Sequence, residues 1–233
     1  MKFSITRDVF SKFPKLCVGV VVARGINNKG SEDKIYKLMK EVEDYIKLSF
    51  VPAKLSHYDM MSPWRTAFEE FGTKPETYPS SVESLMKKIL HGRCIRKINK
   101  LVDISNYISL KHLVPAGVYN LDEADVFIKL AEADGTEQFF PIGSVDMEHP
   151  ERGEIVYKDD NQILCRKWNW KESEKTKVTE DTSDAIFFID GLPPVKKEKV
   201  KEITEETAEL VGMFCSGKTE SYVLDIGNDK IEF

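Results

Sequence analysis

Hydrophobic positions change their spacing several times along this chain, and each change marks an element. Leu16-Cys17-Val18-Gly19-Val20-Val21-Val22-Ala23 is a continuous apolar, β-branched run that predicts a buried strand. Asn27-Asn28-Lys29-Gly30 interrupts it, and Ser31 caps a predicted helix with Ile35, Leu38, Met39, Val42 and Ile46 on one face. Ser62-Pro63 starts another helix, running through Trp64, Ala67, Phe68 and Phe71 to Gly72. Ser80-Ser81-Val82-Glu83 reads as a capping box for a helix carrying Leu85, Met86 and Ile89 and stopped by Gly92. From Gly117 to about Asp190 short alternating segments such as Val126–Leu130 and Gln162–Arg166 predict mostly antiparallel sheet. A charged helix after Pro193-Pro194 turns Val200, Ile203, Leu210, Val211 and Phe214 inward, and Tyr222–Phe233 reads as a β-hairpin around Gly227-Asn228-Asp229. The expectation is an α+β fold of helices packed on mostly antiparallel sheet, in a single compact unit. Its body is 62–215, with a strand–helix element (1–61) packed on it and a hairpin extension (216–233).

The segment Lys97–Tyr107, continuing into Ile108-Ser109-Leu110, carries two patterns at once. Ile98, Leu101, Val102 and Ile108 form an apolar stripe, while Asn99, Asp103 and Asn106 fall at i, i+4 and i+7 on another face. Two amides and a carboxylate on a buried helix are costly without partners, so either the fold or a ligand must satisfy them.

Composition narrows the classes of function. The 233 residues are 41% hydrophobic and 31% charged, as in an ordinary globular protein. No apolar run reaches the ~20 residues that span a bilayer, and the start Met1–Asp8, with an acid and no long apolar core, makes a poor signal peptide. Cys17, Cys94, Cys165 and Cys215 are scattered, which reads as reduced cytoplasmic thiols and argues against zinc. No glycine-rich phosphate loop, Gly-x-Ser-x-Gly elbow or metal-ligand cluster is present. No cofactor or metal is therefore expected, and any catalysis would rest on binding and water placement. A net charge of −5 disfavours indiscriminate nucleic-acid binding. Lys87, Lys88, Arg93, Arg96, Lys97 and Lys100 nevertheless fall within fourteen acid-free residues, either as a solvated face or as an RNA contact.

The words of the chain resemble a known family. Lys97–Tyr107 is similar to the Ile-Asn-Asn-Val-Val-Asp-Ile-Thr-Asn-Tyr signature of the B3/B4 domain, the editing part of the phenylalanyl-tRNA synthetase β subunit. Pro115–Asn120 stands where that family has Pro-Leu-His-Ala-Phe-Asp, and Val178–Ile186 resembles its Val-Thr-x-x-Thr-Thr-Asp-Val-Leu run. The resemblance covers roughly 62–215 and implies a B3/B4-like fold. It also implies a pocket that hydrolyses the ester of mischarged aminoacyl-tRNA, with Asn106 as a pocket residue supported by Asn99 and Asp103. Two positions depart from it: the family's histidine falls on Gly117, and a late glutamate falls near Phe188.

Other candidates keep two readings each. Arg65 is a fork for carboxylate or phosphate, or a surface partner of Glu69. Glu83 orients a water, or serves Ser80 as cap partner. Trp168 and Trp170, two apart on a strand, form a stacking wall or a core pair. Glu154 faces the pocket or a neighbour, and His112 replaces the missing histidine only if the backbone brings it round. The functions implied are a trans-acting deacylase that takes the aminoacylated 3′ end of a tRNA, using Asn106, Glu83 and Glu154, or a non-catalytic module holding tRNA or a free amino acid.

Overall fold

The computed structural model describes residues 1–233. Its first half contains strand β1 (Lys2–Ile5), helix α1 (Arg7–Lys12), β2 (Cys17–Arg24), α2 (Asp33–Ser49), α3 (Ser62–Glu70), α4 (Ser81–Leu90) and α5 (Lys100–His112). There follow β3 (Ala116–Asn120), β4 (Phe127–Glu132), β5 (Ile155–Lys158), β6 (Ile163–Arg166), β7 (Lys171–Glu172), β8 (Ala185–Gly191), α6 (Lys197–Cys215), β9 (Lys218–Leu224) and β10 (Lys230–Glu232). They build a six-stranded sheet, β10-β1-β4-β5-β6-β7, and a four-stranded sheet, β3-β8-β2-β9. All pairings are antiparallel except β1 with β4.

The uninterrupted apolar run of β2 has a simple cause: both faces of its sheet are covered. Val18, Val20 and Val22 enter a core shared with Phe3, Leu130, Tyr157 and Leu164 of the six-stranded sheet. Val21 and Ala23 face the other way, into a core formed with residues of α2, α4, α5 and α6. β8 divides likewise, Ile186 and Phe188 inward between the sheets, Phe187 and Ile189 toward the helices. The order of layers is thus sheet, sheet, helices. Gly19 admits α6 closely, since a Cβ there would meet Thr204 Oγ1 at 2.0 Å.

Several sequence expectations change. The segment 1–61 is woven into both sheets, because β1 pairs with β4 and β10 while β2 lies between β8 and β9. The terminal hairpin is a turn at Asp225–Asn228 whose arms part: β9 joins β2 and β10 joins β1. Glu32, not Ser31, caps α2 by accepting from Lys34 N–H, and Met61 takes the cap position of α3, leaving Ser62 as its first residue. The capping box at Ser80 is half made: its hydroxyl accepts from Glu83 N–H, but the Glu83 carboxylate turns to Arg65 and Lys87.

Candidate functional site

A cavity of about 590 Å³ opens where α4 and α5 meet the edge of β3 and the β5–β7 arm of the large sheet. Asn106 and Ser105 reach it from the α5 side, and Gly117 and Tyr119 from β3. Val118, Ile142, Trp170 and Phe188 supply apolar wall. At its floor lie Tyr157, Cys165, Asn169, Glu172 and Asp190. Lys88, Arg93, Arg96 and Lys171 bring positive charge to it, the first three exposed.

Two devices hold the walls. The segment Arg93–Ile98 carries the cationic rim without regular structure, and carboxylates pin it: Glu43 accepts from Ile95 N–H at 2.7 Å, and Asp103 accepts from Ile98 N–H at 3.0 Å. The far wall depends on the turn after β6. Lys167 and Trp168 both adopt left-handed backbone, φ 46° and 63°, a conformation costly outside glycine. Buried Glu154 secures it, accepting from Lys167 N–H at 2.8 Å, from Arg166 Nε and Nη2, and from Lys167 Nζ. Burial alone would push the Glu154 carboxyl up, but the bonds and charge of Arg166 outweigh it and hold the group below the usual range. The turn delivers Asn169 and Trp170 to the cavity.

The floor is acidic and close to its titration point. Burial raises Asp190 to about 6, against hydrogen bonds from Tyr157 Oη at 2.6 Å and Asn169 Nδ2 at 3.3 Å. The Trp168 indole N–H lies near the same carboxyl but closes no hydrogen bond. Burial raises Glu172 to about 7, against the charge of Lys171. Glu172 is only partly exposed, its surface lines the cavity, and no side chain pairs with its carboxylate. Cys165, facing Glu172 across the strand pair, is pushed well up by burial and stays a neutral thiol, unsuited to nucleophilic attack. A carboxylate that titrates near neutrality beside a space for substrate is what general base catalysis requires.

The sequence pattern of the family described as the B3/4 domain matches residues 63–215. The chain belongs to that family. An N-terminal fragment of the phenylalanyl-tRNA synthetase β subunit from Pyrococcus horikoshii resembles this B3/4 protein with 13% identity and a TM-score of 0.46, over 93% of this chain and 49% of that one. The chain thus spans about half the length of that structure. No curated protein matches it.

Within the B3/4 domain the residues singled out by sequence scatter. Asn106, Trp170, Lys88, Arg93 and Arg96 meet at the cavity. Asn99, Asp103 and Asn106 do not share a face, because Asn99 is the cap residue of α5 rather than part of the helix. Its Oδ1 accepts from Val102 N–H and its Nδ2 donates to Val178 carbonyl oxygen, which joins two of the sequence motifs. Asp103 lies behind the rim segment. Neither lines the cavity, so substrate binding by Asn99 and Asp103 gives way to support of the wall.

Arg65 pairs with Glu83 at 2.9 Å and with Glu76, not Glu69, and Glu83 is further neutralised by Lys87 at 2.8 Å. Glu83 and Glu154 are both enclosed in ion pairs outside the cavity, which replaces their catalytic reading. The wall of two tryptophans fails because a turn, not a strand, separates them: Trp168 is fully buried against Phe13 and Trp64, while Trp170 packs on Tyr78 at the cavity. Lys97 sits over the Tyr36 ring and near Asp33, Lys100 donates to Asn27 carbonyl oxygen, and His112 pairs with Glu206 away from the site. Gly117 and Phe188, the two departures, are neighbours across the β3–β8 pairing. The Tyr119 hydroxyl occupies the space a side chain at 117 would take, 2.8 Å from its Cβ position.

Sequence reasoning missed Glu172, Asp190, Asn169, Tyr119 and Cys165 as site residues. Asp190 had a signal: an acid at the end of the wholly apolar run Ala185–Ile189 has to be satisfied or used. Glu172, in a two-residue strand, had none.

Proposed function

We propose that this B3/4 domain takes the aminoacylated 3′ end of a tRNA into the cavity and hydrolyses the ester. The observation that carries the reading is a pair of near-neutral carboxylates beneath a cationic rim, in a cavity walled by Asn106 of the signature segment. The resemblance of that segment to the synthetase editing domain supplies the reaction class. Asp190, held by Tyr157 and Asn169, accepts a proton from water. The hydroxide adds to the ester carbonyl, and the oxyanion is met by N–H and O–H donors of Asn106 and Ser105. The bond to the ribose oxygen breaks, that oxygen takes the proton back from Asp190, and free amino acid and deacylated tRNA leave.

Release of amino acid from a panel of mischarged tRNAs tests the proposal. Native protein should deacylate at least one, faster as pH rises through about 6. Asp190→Asn should lose about 100-fold or more in rate. An unchanged rate in that variant, or no release across the panel, overturns it.

A second reading, non-catalytic binding of tRNA or free amino acid, is favoured by Gly117 and Phe188 standing where the resembled family has histidine and glutamate. Salt-dependent tRNA binding without turnover would distinguish it.

A further inference from the structure

The floor of the cavity is unusual in offering acceptors with few donors to meet them. The Glu172 carboxylate lines the cavity, is partly exposed, and makes no hydrogen bond or ion pair with any side chain. Asn169 is 8% exposed and lines the same cavity, and its Oδ1 is buried without a partner while its Nδ2 is spent on Asp190. Asp190 Oδ2 receives only that long Asn169 bond. The neighbouring Tyr157 hydroxyl is already donated to Asp190 Oδ1. A buried carbonyl-type oxygen left unpaired costs about 1–3 kcal/mol, and an unpaired carboxylate costs more. What satisfies such a set is a compact group with several N–H donors and a positive charge.

We infer that Glu172, Asn169 and Asp190 form a seat for a primary ammonium group, that of the α-amine of an aminoacyl ligand. This rests on the proposed function and adds to it the end of the ligand that is read. An α-ammonium has three donors, matching Glu172, Asn169 Oδ1 and Asp190 Oδ2. With the amine held there, the ligand's side chain lies against Trp170, Ile142 and Val118, and the acyl carbon faces Asn106. The acid floor and the basic rim then set the ligand's direction: ammonium inward, phosphates outward. A 2-hydroxyacyl or N-acylated ligand, lacking the charge, leaves the acceptors unmet and is rejected.

The test uses small amides that contain neither ester nor nucleotide: phenylalaninamide, its 2-hydroxy analogue phenyllactamide, and N-acetyl-lysinamide, in which only the side chain is cationic. Binding is followed at pH 7 by NMR titration of the full chain. Phenylalaninamide should bind at least about tenfold more tightly than phenyllactamide, as expected for loss of a charge-assisted contact. In Glu172→Gln that ratio should fall below about threefold, and in Glu172→Asp it should largely persist, with melting temperature and circular dichroism confirming folded variants. Equal binding of the first two amides, no binding by either, or an unchanged ratio in Glu172→Gln overturns the seat. Tighter binding of N-acetyl-lysinamide overturns its assignment to the α-amine. Equal binding here leaves the ester-hydrolysis reading intact, and failed deacylation leaves this measurement standing.

Discussion

At the scale of single residues, the site is maintained against the stability of the fold. In the unfolded chain Glu172 loses its proton above its ordinary 4.5, whereas in the folded protein it keeps the proton to about 7. The folded state therefore binds more protons across that window. The contribution of Glu172 to stability is undiminished below about 4.5, falls as pH rises toward 7, and is flat above. At most about 3 kcal/mol is involved, less whatever cavity water recovers. Glu172→Gln removes the ionisation, so it should match native stability at pH 4 and exceed it by about 2 kcal/mol at pH 8. Urea melts of the two proteins across that range measure the difference, which isolates Glu172 from the other carboxylates. A variant less stable than native protein at pH 8 would show Glu172 to be a structural acid. Glu83 and Glu154 present the contrasting case: they are more deeply buried, but held in ion pairs with Arg65, Lys87, Arg166 and Lys167.

At the scale of elements, the motif that marks the family in the sequence works chiefly as joinery. Asn99 caps α5 and grips the Val178 carbonyl, while Asn28 donates to Thr179 carbonyl oxygen and accepts from Leu101 N–H. Asn99→Ala loses a cap and leaves a buried carbonyl unpaired, so it should cost about 2 kcal/mol. A thermal melt reads that loss directly, and restoration by Asp is not expected, since Asp offers Val178 no donor. Helices and buried strands were legible before the structure because their period is local: α4, α6 and β2 sit where the apolar spacing put them. Trp168 was misjudged for the opposite reason. Its position depends on two left-handed residues held by Glu154, which lies immediately before β5, and alternation along the chain does not register that. The parted ends of β9 and β10 likewise reflect which sheet lies nearby, a property of the assembled layers. The cavity itself was legible only at Asn106, Trp170 and the basic run. Its floor is assembled from β5, β6, β7 and β8, which the sequence spaces too widely to relate.

At the scale of the whole molecule, a chain with net charge −5 would have to confine any attraction for a phosphate backbone to one place. No helix is long and apolar enough to cross a membrane. Of the basic run, Lys87, Lys97 and Lys100 are engaged by protein groups, which leaves Lys88, Arg93 and Arg96 exposed at the cavity without such partners. If three single-strand phosphates are neutralised there, the slope of log binding constant against log salt should be about −2, at roughly 0.7 per contact. Replacing all three with Gln should bring that slope close to zero and weaken tRNA binding strongly at low salt. Replacing Lys97 and Lys100 instead should change it little. Fluorescence titration of a tRNA acceptor-stem hairpin over a range of salt concentrations distinguishes the two sets. A slope that survives loss of Lys88, Arg93 and Arg96 would place the nucleic acid on another face, and the acid floor would then serve a small amine with no RNA attached.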